Sequence, residues 1–72
     1  MEQSLNATVE ILTIAGPVDA ARQIRSALGW YGLSGNLPRV RFVEAVIGAV
    51  AEAFARIDRA FDSDAFVAAC VG

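Results

Sequence analysis

Asp58, Asp62 and Asp64 fall within one short stretch, and three carboxylates so close in sequence are the raw material of a divalent-cation site. The stretch lacks the glycine turn and distal glutamate of a calcium loop, and Arg56 and Arg59 sit among the acids. Capping of helix ends and solvation are therefore the roles expected for these aspartates. Cys70 is the single cysteine and the chain has no histidine, so neither a disulfide nor a Cys/His zinc site can form within it. With no imidazole to act as its base, Cys70 is expected to pack as a small hydrophobe, not to serve as a nucleophile. The glycines of "GWYGLSG" recur every third residue, which is not the spacing of a phosphate-binding loop, and the segment follows a helical pattern instead of joining a strand to a helix. Arginine comes in doublets. Arg22 with Arg25 and Arg56 with Arg59 are spaced three apart, so on a helix each pair could present two guanidinium groups to an anion or an acidic partner; a solvated face with a Glu52/Arg56 pair is the plainer reading. No residue set calls for a cofactor or a metal, and the chain is read as non-enzymatic.

What must hold these residues is one domain, spanning residues 1–72. A chain of 72 residues buries only roughly 60% of the surface its unfolded form exposes, which leaves little excess over the entropy of ordering. Disulfides and zinc being excluded, self-association is the remaining way to stabilise so small a scaffold. The composition is 56% hydrophobic with a mean hydropathy of +0.48, more apolar than a small monomer readily hides. A net charge of -2 and a pI near 4.8 argue against nucleic-acid binding through the overall field. No apolar run is long enough to span a bilayer, because "FVEAVIGAVAEAFA" is interrupted by Glu44 and Glu52. The acid in "MEQSLNATVEIL" does not suit a signal peptide, so a cytoplasmic protein is expected.

The pattern reads as mainly α with one strand. Thr8, Val9, Ile11, Thr13 and Ile14 are β-branched and the run stops at Gly16-Pro17, which predicts a strand over about 8–15. The competing reading is a helix from Ser4 with Leu5, Thr8, Val9, Leu12 and Ala15 on one face. Three helices follow, over about 17–29, 38–59 and 63–70. The first carries Asp19 in its opening turn and Val18, Ala21, Ile24 and Leu28 toward the core, and ends at Gly29 or Gly32. Trp30 and Tyr31 then fall in a loop, either as a lid on the core or as an interface anchor. The second is capped by Asn36 and striped by Val43, Val46, Ile47, Val50, Phe54 and Ile57, with Gly48 implying a close neighbour. In the third, Asp62 caps and Phe61 staples onto Phe66.

The ending built on Phe61, Asp62, Asp64, Phe66, Ala68, Ala69 and Cys70 resembles that of many short uncharacterised proteins of phages and other mobile elements. Ala60 and Ala65 stand where those endings tend to have arginine. The resemblance implies a small accessory protein of a mobile element in a bacterial host. The function expected is a protein-interaction module that binds and modulates or inhibits a host protein, an anti-defence or anti-CRISPR-like role among the options. A homodimer is expected, its strands paired, with Val9, Ile11, Leu12, Ile14, Trp30 and Tyr31 at the interface. Strand, helix, turn, helix is also the order of a ribbon-helix-helix repressor, but the strand offers Glu10 and no basic residue to DNA.

Overall fold

The computed structural model describes residues 5–72, which form four helices: α1 (Leu5–Ala15), α2 (Pro17–Leu33), α3 (Leu37–Ile57) and α4 (Ser63–Val71). The mainly helical class stands, but the strand expected over 8–15 is helix. Burial explains why the β-branched residues lose: Leu12 is fully in the core and Val9 packs at its edge, a spacing that only a helix brings to one side. The hydroxyl of Thr13 donates to the carbonyl of Val9 at 2.7 Å, so its polar group is satisfied inside the helix. Ser4, the start of the competing helical reading, lies outside the described residues; of the face named for that reading α1 turns Thr8, Val9, Leu12 and Ala15 inward, while Leu5 is exposed.

Gly16 alone joins α1 to α2, at φ 94° and ψ 162°, a backbone region open essentially to glycine. Pro17 then starts α2, as its missing N–H allows. This helix passes through Gly29 and Gly32 and stops four residues beyond the expected range. The stop is Gly35, at φ 69°: its N–H reaches the carbonyl of Gly32 and the N–H of Asn36 reaches that of Tyr31, the paired bonds of a Schellman ending. Trp30 and Tyr31 are therefore helical. Asn36 also opens α3, its side chain accepting from the Arg39 N–H at 3.2 Å.

α3 forms the axis of the domain, about 30 Å long at the usual rise. Its buried stripe is Val43, Val46, Ile47, Val50, Ala51 and Phe54; Ile57 falls outside it and is exposed. The helix ends at Asp58, earlier than expected, because that carboxylate accepts from the Ala60 N–H at 3.0 Å and turns the chain. Asp62 then caps α4 by accepting from the Ala65 N–H at 3.0 Å, and the rings of Phe61 and Phe66 meet 5.6 Å apart as the staple. Helices α1 and α4 each pack on both α2 and α3 but do not touch one another. Ala20, Ala21 and Ile24 complete the core with Phe66 and Cys70, and among the described residues no polar or charged one is buried.

The close neighbour expected at Gly48 is absent: Gly48 is exposed, and a Cβ there would meet nothing within 4 Å. Gly48→Ala should accordingly raise stability by about 1 kcal/mol, the helix-propensity difference alone. An upward shift of the urea midpoint at constant slope is the expected reading, and a downward one would show that something does occupy that space.

Candidate interaction surface

None of the aspartates that open the sequence question converge on a cation. Asp58 and Asp62 accept from backbone N–H groups at helix ends, and Asp64 lies in the first turn of α4, where the helix dipole favours an acid. Among the described residues no group of three or more His, Cys, Asp or Glu could hold a metal ion.

The arginine doublets separate. Arg22 pairs with Asp19 at 3.6 Å, while the Arg25 guanidinium lies over the C-terminal end of α4, where a Cβ on Gly72 would meet it at 3.5 Å. That position suits a cation at the negative pole of a helix. Arg56 pairs with Glu52 at 3.7 Å, and Arg59 lies beyond the end of α3, so the two do not share a helix face. Both ion pairs are exposed, and each contributes little to stability.

Cys70 is fully buried, and burial pushes its thiol above the ordinary value of 9.0. Thiol reagents should therefore modify the native chain only as fast as α4 opens, and the denatured chain at once. Measured by absorbance of a released thiolate, equal rates in the two states would contradict this packing. The same burial makes stability fall as pH rises past 9.0, since the unfolded chain then ionises its thiol first.

What the structure does bring together is apolar surface. A cleft of about 250 Å³ opens between α1, α2 and α3; Ile11, Leu12, Ile24, Phe42, Val43 and Val46 supply its apolar walls, and no charged residue lines it. Of the interface candidates, Leu12 is buried and Val9 and Tyr31 are half-buried against the core. Ile11 and Ile14 remain exposed on α1, and Trp30 is 68% exposed on α2. Leu33 and Leu37, not singled out from the sequence, are exposed on either side of the α2–α3 turn; the only signal for them was two leucines flanking a glycine stop. A second, shallower cleft of about 350 Å³ lies between α2 and α4, lined by Pro17, Val18, Ala21, Phe61, Phe66 and neighbours. Val18, expected in the core, is exposed there, because Ala21 and Ile24 set the inward face of α2 and Val18 falls off it. Beyond it Ile57, Val67 and Val71 are exposed on α3 and α4.

No helix among the described residues is long and apolar enough to cross a membrane. No family model, curated protein or solved structure matches this chain.

Proposed function

We propose that this chain is a non-enzymatic interaction module that binds a protein of its bacterial host and modulates or inhibits it. The observation that carries the reading is the amount of apolar side chain left outside a well-filled core: Ile14, Leu33 and Ile57 are 84%, 89% and 73% exposed. Exposed apolar side chains on a domain this small are the surface that a protein partner would bury. The resemblance of the C-terminal ending to phage and mobile-element proteins supplies the context, in which a small cytoplasmic protein acts against a host system such as a defence complex. The ribbon-helix-helix alternative loses its premise, since the residues meant to form the DNA-reading ribbon are helical.

The reading is tested by capture from host lysate with the native chain and with an Ile57→Asp, Val71→Asp double variant. Both positions are exposed, so the fold should survive. One protein held in stoichiometric amount by the native chain and lost by the variant is the expected result. Identical recoveries with the two would defeat the reading.

A further inference from the structure

We propose that the trough between α2 and α4 is where two copies of this chain pack together, antiparallel, with Arg25 of each copy set against Asp62 of the other. The proposal goes beyond the host-protein reading and does not depend on it.

The trough has a direction. Pro17 and Val18 line one end together with Phe61 and Asp62, and at the other end the Arg25 guanidinium lies over Gly72. α2 and α4 thus run parallel along its two sides. Val18, Ala21 and Arg25 fall at i, i+3 and i+7 on α2, and Asp62, Ala65, Ala69 and Gly72 continue the same spacing along α4, so each set shares a face. From Asp62 to Gly72 the trough is about 15 Å long at the helical rise.

Its middle is apolar and its ends carry opposite charges. Asp62 is the one charged residue that lines it, and only one oxygen of that carboxylate is engaged, accepting from the Ala65 N–H. Arg25 has no carboxylate partner among the described residues. The other nearby charges are turned aside or already matched. Asp19 lies two residues before Ala21 and Asp64 two past Asp62, a spacing that places both on the far sides of their helices. Arg22, at the flank, pairs with Asp19 at 3.6 Å. No side-chain donor lines the trough, so a small polar ligand would find a single carboxylate to orient it.

Such a surface is complementary to itself. A two-fold axis lying across the two helices, near Ala21 and Ala65, reverses the trough end for end, so the acidic end of each copy meets the cationic end of the other. The guanidinium, held over the last turn of α4 in its own chain, then faces the free oxygen of Asp62. Opposite charges meeting in this way fix the register of an interface, and parallel packing would instead bring like charges to the same end. Antiparallel α4 helices also set their dipoles in the favourable sense. Ala65 and Ala69, both exposed, let the paired helices approach to the near end of the usual spacing of about 8–10 Å.

The test is sedimentation of the native chain from micromolar to millimolar concentration, with three variants: Ala69→Glu, Arg25→Glu, and Arg25→Glu combined with Asp62→Asn. A mass of twice 7.6 kDa is expected for the native chain. Ala69→Glu should weaken association by at least about 30-fold, the scale of a disrupted interface centre. Arg25→Glu sets acid against acid and should weaken it by at least about 10-fold, and adding Asp62→Asn, which keeps a capping side chain, should recover part of that loss. All three positions are exposed, so helical circular dichroism should persist; if a variant fails to fold, the mass of the native chain and the remaining variants decide. A monomer at every concentration would overturn the proposal, as would a dimer indifferent to Ala69→Glu or one in which Asp62→Asn recovers nothing. A monomer that still captures a host protein through Ile57 and Val71 would remove the dimer and leave the interaction reading intact, whereas a dimer that captures nothing would do the reverse.

Discussion

Phe54→Ala should cost about 3–5 kcal/mol, the range for truncating a buried phenylalanine. Phe54 is 6% exposed, and its ring lies 5.3 Å from that of Phe61 and 5.7 Å from that of Phe66. It therefore joins three things at once: the end of α3, the turn after it and the start of α4. A domain of 72 residues has about 4–11 kcal/mol of stability to lose, at the usual 0.05–0.15 kcal/mol per residue. The substitution should leave the chain close to half unfolded at the low end of that range, as read by urea titration of the helical signal. A loss below about 1 kcal/mol would mean that the rings merely touch and that α4 docks by other means.

The second large effect is expected from Leu12→Ala. Leu12 is the one buried residue of α1, whose other inward side chains, Val9 and Ala15 among them, are only half-buried. Truncating a buried leucine costs about 2–5 kcal/mol, but the loss here has a ceiling, since α1 can leave the domain once its docking free energy is spent. The expected outcome is thus local: amide exchange in α1 accelerates strongly while α2, α3 and α4 keep a cooperative transition. If the α1 amides stayed as protected as those of Val46 and Val50, the helix would have to be held by something besides Leu12.

α1 is also where the sequence misleads, and the reason is physical. Thr8, Val9, Ile11, Thr13 and Ile14 prefer an extended backbone by well under 1 kcal/mol each in a helix, and that preference is local. Burial of Leu12 against two other helices is larger and non-local, so it could not be weighed without knowing what lies opposite. Where a signal is chemical and local the reading holds: Asn36, Asp62 and the Phe61–Phe66 staple each sit as their residue types demand. Gly29 and Gly32 mislead as helix stops for a related reason. A glycine ends a helix by adopting positive φ, and only Gly35, directly before the Asn36 cap, is in position to complete the paired closing bonds.

The candidate surface was legible in part. Ile11, Ile14 and Trp30 were singled out by type and are exposed, but as positions on helices, not on a ribbon and a loop. The cleft beside them was not legible, since its walls come from three helices and depend on how those cross. The arginine doublets show the converse. Spacing alone paired Arg56 with Arg59, and the early end of α3 at Asp58 parted them.

The connections have a kinetic consequence. One residue joins α1 to α2, residues 34–36 join α2 to α3, and residues 58–62 join α3 to α4, so helices next to each other in the chain are brought together over very short loops. Little chain entropy stands between the unfolded ensemble and those contacts, which places folding in the microsecond-to-millisecond regime of helical bundles. With the modest stability of so short a chain, unfolding is quick as well. The native population is then renewed continually, and whatever binds it acts on an equilibrium instead of on a kinetically trapped fold.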